Sequence, residues 1–384
     1  MTDQTLPLAG MRVIEIGHSV AAPYAALILA ELGAEVIKVE RPGAGDDARG
    51  WGPPFVDQMS AVYHALNRLK RSVTLDLKSA EGVAKLKALA RISDALIQNQ
   101  KPGLAESLGI GPRVLLAENP RLVYASIHAF GKTGPLKDRP GYDPLMQAFG
   151  GLMSVTGHPG QPAVRTGTSI IDMGTGMWVA MGIVTALLRR AETGKGGVVD
   201  TSLFETALGW MTYFLTTWSA SGKAPGKAGS GTVMIAPYQA FPTADGELII
   251  AAGNNNLFRR LSEAFGHPEW PADPRFADNG LRVENKSALV ALIAAETVKS
   301  PTAEVAARLD AAGVPNAPVH GTDQVAAHPQ TAAVGMLRGE GNLQFFGLPF
   351  SLDGTRPARE GTAHRLGEDD EWLEDLLAGG PSTI

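Results

Sequence analysis

The stretch Arg165–Gly196, RTGTSIIDMGTGMWVAMGIVTALLRRAETGKG, joins a short apolar run to a long apolar helix through a single acidic residue. The short apolar run Ser169–Ile171 leads directly into Asp172. The apolar pattern from Met177 to Leu188 predicts a helix. Basic residues and the turn Gly194–Gly196 follow it, and both are ordinary signals for the end of a helix.

The start of this helix is unusual. Asp172 lies where an N-cap is expected, and an aspartate there stabilises a helix by about 1 kcal/mol. Gly174 and Gly176 follow, although each glycine in a helix costs roughly 1 kcal/mol. A helix does not need glycines there, whereas a bulky ligand approaching the backbone would. These residues alone leave two interpretations open, a plain helix cap or a functional carboxylate at a ligand site.

The composition excludes several classes of function. The 384 residues suggest two or three domains, and a hydrophobic content of 44% suffices for a large core. The net charge is −5 and no block of basic residues occurs, so we expect no nucleic-acid partner. The chain has no cysteine, which excludes disulfides and a cysteine nucleophile. Its eight histidines show no metal-ligand spacing, so no metal site is predicted.

Neither a signal peptide nor a membrane span is predicted. The first ten residues, MTDQTLPLAG, are acidic and poor in apolar side chains. The longest apolar run, Met177–Leu188, is shorter than a bilayer requires. We therefore expect a soluble, cytoplasmic protein with no membrane partner.

The N-terminal part predicts a parallel α/β sheet. Met11–Ile16 and Glu35–Glu40 are predicted buried strands, and Tyr24–Leu32 is the helix between them. This βαβ unit lacks the G-x-G-x-x-G fingerprint of dinucleotide-binding proteins. Its first turn, Gly17–Ala21, resembles the nucleophile elbow of serine hydrolases, but it follows the first strand of the chain and ends in alanine, which argues against that chemistry.

Further strands are predicted at Ser72–Leu77, Ala95–Asn99 and Leu122–Phe130. Ligands of open α/β sheets bind at the carboxyl ends of the strands. The turns after residues 16, 40, 77, 99 and 130 are therefore predicted to form one ligand-binding rim, which Asp172 can join.

A second region begins where the composition changes, at the linker-like Ser221–Gly231. Tyr238–Phe241 and Glu247–Ala252 predict a hairpin with an Asp-Gly turn, and helical patterns follow. We predict a large α/β domain from residues 1–220 and 325–384, and a small α+β domain from residues 221–324.

Several motifs match one family in the same order along nearly the whole chain. They are LAGMRVIEIG, LGAEVIKVERPGAGDDARGW, NRLKRSVTLDLKSAEG, NPRLVYASIHAFG, the Asp-x-Gly-x-Gly start of the central helix, and RRAETGKGGVVDTSLFE. With them the sequence resembles the class III CoA-transferases, which include formyl-CoA transferase, carnitine CoA-transferase and α-methylacyl-CoA racemase. The resemblance implies a doubly wound, Rossmann-like CoA-binding domain with an inserted small domain, and a homodimer of interlocked chains.

The resemblance also implies roles for particular residues. Asp172 falls on the family's catalytic aspartate, which in the transferases attacks the acyl-CoA thioester. Tyr142 and Asp143 fall where the racemases carry His-Asp, and a tyrosine with an ordinary pKa near 10 is a poor base at neutral pH. Asp143, Tyr142 and Trp51 are therefore expected in the acceptor site or behind it. The family's glycine loop corresponds to residues 229–231, of which Gly229 and Gly231 are glycines here.

The expected CoA-binding residues are Val20, Arg41, Leu75, Lys78, Asn99 and Gln100. Formyl-CoA transferase has a glutamine where Val20 stands, which argues against formyl and oxalate chemistry. We expect an enzyme that moves CoA from an acyl-CoA, such as succinyl-CoA, to a small carboxylic acid without a tightly bound cofactor. Two alternatives are a 2-methylacyl-CoA racemase, which would need another base, and a non-catalytic CoA-binding dimer.

Overall fold

The computed structural model describes residues 5–339 and 341–379, and these fall into two compact units. The first consists of the N-terminal part up to Gly151, Thr166–Thr212, and the C-terminal part from Pro329. The second consists of Leu152–Arg165 and Tyr213–His328. The division differs from the predicted limits mainly because Leu152–Arg165 belongs to the second unit.

The strands of the described residues are, in chain order, β1 (Arg12–Ile16), β2 (Glu35–Glu40), β3 (Phe55–Val56), β4 (Met59–Ser60), β5 (Lys70–Thr74), β6 (Ala95–Gln98), β7 (Val123–His128), β8 (Gly197–Ser202), β9 (Tyr238–Pro242), β10 (Glu247–Ala251), β11 (Asn316–Pro318), β12 (Leu337–Arg338) and β13 (Phe345–Phe346). The α-helices are α1 (Ala21–Glu31), α2 (Ala61–Asn67), α3 (Ala80–Arg91), α4 (Leu104–Ser107), α5 (Pro112–Glu118), α6 (Asp143–Phe149), α7 (Leu152–Val155), α8 (Ile170–Thr193), α9 (Leu203–Trp210), α10 (Thr212–Ser221), α11 (Asn255–Ala264), α12 (Asn279–Glu284), α13 (Lys286–Thr297), α14 (Thr302–Ala311), α15 (Thr322–Ala327), α16 (Pro329–Ala333) and α17 (Asp370–Leu377).

The first unit is built on a parallel sheet of six strands in the order β5-β2-β1-β6-β7-β8. The chain starts in the middle with β1, moves outward to β5, and returns to the other side of β1 with β6. This is the strand order of a doubly wound sheet, with its switch point between β1 and β6. The β1 strand is buried at every position, as expected for a parallel strand covered on both faces. The predicted α/β fold is confirmed.

Helix α8 is the longest helix described, with 24 residues, and it packs along α1. It begins at Ile170, so the apolar run Ser169–Ile171 supplies the N-cap and the first two residues of the helix. The N-cap residue is Ser169, and Asp172 lies in the first turn. The prediction that Asp172 occupies the N-cap position is therefore wrong.

The two glycines of α8 are explained by packing. A Cβ atom at Gly176 would lie 2.8 Å from the carbonyl oxygen of Ala21 in α1. A Cβ atom at Gly174 would lie 2.8 Å from the Trp210 ring. Both positions therefore require glycine for close contact within the chain, and the interpretation that they leave room for a ligand is not needed.

The C-terminal segment completes the first unit at the sheet edge formed by β5. Asp369 accepts a hydrogen bond from the Ser72 amide at 2.8 Å, and Asp370 accepts one from the Thr74 amide at 2.6 Å. Leu373 of α17 is buried in the main core beside sheet residues. These contacts satisfy backbone donors of an edge strand that would otherwise be open to pairing with another chain.

The second unit has an antiparallel sheet of three strands in the order β11-β10-β9. Its core includes Phe241, Phe258 and Leu289. The segment Leu152–Arg165 is held to this unit by Lys227, whose Nζ donates to the carbonyl oxygens of Gln161 and Pro162 at 2.7 and 2.6 Å. Sequence periodicity carries no signal for such a contact.

Helix α8 is also the one helix among the described residues that is long and apolar enough to cross a membrane. Half of its most apolar window is buried within the chain, against α1, β7 and β8. Length and composition alone are weak grounds for a membrane span, since buried core helices share both. The cytoplasmic location stays a prediction.

Candidate active site

Asp172 presents a free carboxylate in the first turn of α8. Its side chain is half-buried, and among the residues that the structure describes it makes no side-chain hydrogen bond or ion pair. An aspartate in a first turn is usually stabilised by the amide groups there. Here those amides are bonded to another acid.

That acid is Asp143, the first residue of α6, whose N-cap is Tyr142. Its Oδ2 atom accepts hydrogen bonds from the amides of Ile171 at 2.8 Å and Asp172 at 3.2 Å. Asp143 is only 2% exposed, so the contact is shielded from water. Asp143 therefore caps α8 from a neighbouring helix and leaves the carboxylate oxygens of Asp172 without a backbone partner.

Asp143 is held in place by Gln147, one turn further along α6. The Gln147 Nε2 atom donates to Asp143 Oδ1 at 2.6 Å, and Oε1 of Gln147 accepts from the Thr166 amide at 2.9 Å. Gln147 is fully buried, so these bonds fix its orientation. The sequence analysis missed Gln147, although the Asp-to-Gln spacing of four residues in a helix is a recognised pairing.

The surroundings make Asp172 unusually basic. Burial raises the pKa of Asp172 to about 7, and the negative charge of Asp143 adds to the rise. Both effects disfavour the charged carboxylate. A pKa close to neutrality is a property of groups that alternate between charged and uncharged forms in catalysis.

A cleft of about 790 Å³ lies at the carboxyl ends of β1, β2, β5 and β6, at the switch point of the sheet. It is lined by Ile16, Gly17, His18, Val39, Glu40, Arg41, Pro42, Gly45, Asp46, Asp47, Leu75, Asp76, Leu77, Lys78, Gln100, Lys101, Leu104 and Leu108. The turns after residues 16, 40 and 77, together with Gln100 and Lys101, therefore share one cleft, as the strand order predicted. The turn after residue 130 and Asp172, which were expected at the same rim, are not among its lining residues.

Four of the six predicted CoA-binding residues line this cleft, namely Arg41, Leu75, Lys78 and Gln100. Val20 and Asn99 do not line it. Val20 is buried at the start of α1, and Asn99 bonds both the amide and the carbonyl oxygen of His18, at 3.1 and 2.8 Å. Asn99 thus holds the turn after β1 in place, and its contact with CoA stays a prediction.

The residues of the cleft suit a ligand with anionic and apolar parts. Lys78 and Lys101 contribute positive charge, and Leu75, Leu104 and Leu108 contribute an apolar surface. Buried Oε1 of Gln100 has no hydrogen-bond partner among the described residues. A buried acceptor without a partner is costly, so a donor from a ligand would stabilise it. Arg41 is paired with Asp47 at 2.6 Å on the exposed side.

A buried ionic network supports the floor of the cleft. Lys38 contacts Glu15 at 2.6 Å and Asp46 at 2.9 Å, and all three side chains are almost fully buried. Burial alone would raise the pKa of Asp46. The charge of Lys38 and the amide hydrogen bonds outweigh burial, so the pKa of Asp46 is lowered. Oδ1 of Asp46 accepts from the amides of Ser19 at 3.1 Å and Ala48 at 2.9 Å. One carboxylate therefore fixes two loops of the cleft, a role that the sequence analysis missed.

Trp51, Gly229 and Gly231 are not among the residues that line the cleft. Trp51 belongs to the first unit, is 43% exposed and follows the 3-10 helix Asp47–Gly50. Gly229 and Gly231 belong to the second unit. The Gly229 amide donates to the Gly157 carbonyl oxygen at 2.9 Å, and its φ of +64° favours glycine. A Cβ atom at Gly231 would lie 2.8 Å from the Tyr238 carbonyl oxygen. The described residues also contain no group of three or more acidic or histidine side chains placed to hold a metal ion.

The family model for CoA-transferase family III matches residues 8–370. This chain belongs to CoA-transferase family III. It is 39% identical over 349 residues to the acetyl-CoA:oxalate CoA-transferase of Acetobacter aceti, covering 91% of this chain and 90% of the relative. It is 38% identical over 343 residues to the succinate–glutarate CoA-transferase of Agrobacterium fabrum, covering 88% and 86%.

A crystal structure of a CAIB/BAIF family protein from Brucella suis superposes with a TM-score of 0.89 at 37% identity, and covers 97% of this chain and 99% of its own. This family III CoA-transferase is therefore an enzyme that transfers CoA between an acyl-CoA and an acid.

Proposed function

We propose that this CoA-transferase moves CoA from succinyl-CoA to a small dicarboxylic acid, with Asp172 as the covalent nucleophile. The observation that carries the proposal is the free carboxylate of Asp172 at the start of α8, with the neighbouring amides bonded to Asp143. A carboxylate with this freedom and a raised pKa is a usable nucleophile.

The proposed sequence begins with attack of an Asp172 carboxylate oxygen on the thioester carbonyl carbon. The carbon–sulfur bond breaks and CoA leaves as a thiolate, which gives a mixed anhydride with Asp172. The thiolate then attacks the aspartyl carbonyl and releases the donor acid, so that Asp172 carries CoA as a thioester. The acceptor carboxylate attacks this thioester, a second anhydride forms, and the thiolate attacks the acceptor carbonyl. Acceptor-CoA and the free Asp172 carboxylate are the products.

In this proposal CoA binds in the cleft at the switch point, where Lys78 and Lys101 meet its phosphates and the apolar surface meets its adenine. Gln100 Oε1 accepts a hydrogen bond from the bound nucleotide portion. CoA is a substrate here, and the proposed chemistry needs no further cofactor.

The proposal of a dicarboxylic acceptor rests on the two relatives described above, because their names contain the dicarboxylic acids oxalate and glutarate. Val20 offers no polar atom at the position where formyl-CoA transferase has glutamine, so we favour an acid of glutarate length over oxalate. Initial rates with succinyl-CoA and a series of acids from oxalate to adipate test this. A preference for oxalate would contradict it.

A homodimer is part of the proposal. Helix α8 exposes one apolar stripe, in which Met177, Met181 and Leu188 are 51%, 54% and 68% exposed. Leu208 of α9, also in the first unit, is 49% exposed. Large exposed apolar patches are typical of interfaces. Size-exclusion chromatography with light scattering tests for the dimer, and a monomer at micromolar concentration would contradict it.

The decisive experiment for the mechanism is intact mass spectrometry after incubation with succinyl-CoA, with hydroxylamine or borohydride as the trapping reagent. We expect an adduct that maps to Asp172 and is absent from Asp172→Ala. If the wild-type enzyme transfers CoA to an acceptor but Asp172→Ala is equally active, the assignment of the nucleophile is wrong.

A further inference from the structure

The start of α8 brings two carboxylates together and gives them different tasks. Asp143 accepts three hydrogen bonds, from the Ile171 and Asp172 amides and from Gln147 Nε2. Asp172 accepts none among the described residues. One acid is therefore fixed in position by three donors, while its neighbour is exposed to its charge.

Resting on the proposed function, we propose that Asp143 is a positioning residue whose fixed negative charge favours the acylated, uncharged forms of Asp172 over its free carboxylate. By occupying the helix amides, Asp143 also keeps the oxygens of Asp172 available for substrate. Asp143 itself touches neither the acyl group nor CoA in this proposal.

The physical basis is the change of charge at Asp172. In the first step an Asp172 oxygen bonds to the acyl carbon, the carbon–sulfur bond breaks, and the electron pair leaves with the CoA thiolate. The side chain of Asp172 thereby changes from an anion to a neutral anhydride, and later to a neutral thioester. Each change removes the repulsion from Asp143 and the penalty for burying a charge. The interactions that raise the pKa of Asp172 therefore favour both covalent intermediates in the same way.

The charged groups discussed next, on α8 and on the helices packed against it, do not supply the repulsion that acts on Asp172. Glu205 of α9 accepts from Ser202 Oγ at 2.7 Å, and Glu31 of α1 is paired with Arg68. The charged residues of α8 itself, from Arg189 onward, lie about 25 Å further along the helix axis. Tyr24 of α1 is held uncharged, because burial raises its pKa. Among the described residues, Asp143 is the one charged group whose charge contributes to the raised pKa of Asp172.

The hydrogen-bond chain allows a matched pair of variants. Asp143→Asn removes the charge but sets two amide NH2 groups against each other at the 2.6 Å contact with Gln147. The double variant Asp143→Asn/Gln147→Glu restores a donor and an acceptor there, and the new carboxylate can still accept from the Thr166 amide. It keeps the total charge and the chain of hydrogen bonds, but moves the charge away from Asp172.

The test is the amount of trapped Asp172–CoA thioester at fixed succinyl-CoA and succinate, measured from pH 5 to pH 9. In the wild type we expect adduct formation to rise around pH 7. In Asp143→Asn the rise should move down by about one pH unit or more. At pH 8 the ratio of adduct to free enzyme should fall about tenfold, since one pKa unit corresponds to a factor of ten. The double variant should show at least half of the downward shift of the pH profile and at least half of the fall in the adduct ratio at pH 8.

Circular dichroism establishes whether each variant is folded. If Asp143→Asn does not fold, the double variant alone is compared with the wild type. Equal pH profiles and equal adduct ratios in the wild type and the double variant would overturn the inference and leave the proposed function intact. An active wild-type enzyme that forms no adduct with any acyl-CoA would overturn the proposed function, and the inference with it.

Discussion

Asp172 is expected to destabilise the folded enzyme at neutral and alkaline pH, and Asp172→Asn should reverse this. The pKa of Asp172 rises from 3.8 to about 7, because of burial and the charge of Asp143. A difference of about three pKa units corresponds to about 4 kcal/mol. Asp172 is half-buried, so solvent screens part of this, and we expect about 2 to 4 kcal/mol at pH 8.

The sign of this pH dependence follows from the protonation of Asp172 in the folded and the unfolded chain. Below pH 3.8 the carboxyl group is protonated in both the folded and the unfolded chain, and its titration does not affect stability. Between pH 3.8 and 7 only the unfolded chain ionises, so the free energy of unfolding falls as the pH rises. Above pH 7 the loss is complete. Asp172→Asn does not titrate, so its advantage over the wild type should grow by about 2 kcal/mol between pH 5 and pH 8.

The assay is guanidinium unfolding of both proteins at pH 5 and pH 8, followed by tryptophan fluorescence at one protein concentration. Comparing the variant with the wild type at each pH cancels the titration of all other groups. Asp375→Asn changes an exposed aspartate of α17 and serves as the matched surface control. An advantage of Asp172→Asn that stays constant or shrinks toward pH 8 would refute the reasoning.

Three further outcomes are expected. Lys38→Met should lower the free energy of unfolding by about 3 to 5 kcal/mol in denaturant titrations, because it leaves buried Asp46 without a cation, while Glu15 keeps its contact with Lys70. Gly176→Ala should lower the thermal midpoint through overpacking worth about 1 to 3 kcal/mol, whereas Gly209→Ala, whose Cβ meets nothing within 4 Å, should raise it slightly. Lys78→Ala should raise the KM for succinyl-CoA several-fold with little change in kcat, and initial-rate kinetics at low and high salt should show a smaller difference at high salt.

Local sequence patterns predicted the framework of the cleft. Continuous apolar runs such as Met11–Ile16 are typical of buried parallel strands, and the βαβ order fixes which strand ends meet. The sequence alone therefore assigns the turns after β1, β2 and β5 to one cleft. Arg41, Leu75 and Lys78 line it because they follow those strands directly.

The same patterns could not reveal how the start of α8 is capped. A cap is expected from the residue that precedes the helix, and Asp172 was the nearest acid in the sequence. The acceptor is instead Asp143, which comes 28 residues before Ile171 and reaches its amide from another helix. The roles of Gly174 and Gly176 were misread for the same reason, since the atoms that require glycine lie on α9 and α1.

The rigidity of α8 explains why the repulsion between the two acids persists. A helix start that was free to move would turn Asp172 away from Asp143 and remove most of the penalty. Immediately after Asp172, however, Gly174 and Gly176 bring α8 into close contact with Trp210 and α1. Between them, Thr175 Oγ1 bonds Thr206 Oγ1 of α9 at 2.7 Å. Since this packing fixes the first turn, a substitution that loosens it, such as Gly176→Ala, should also lower the apparent pKa of adduct formation at Asp172.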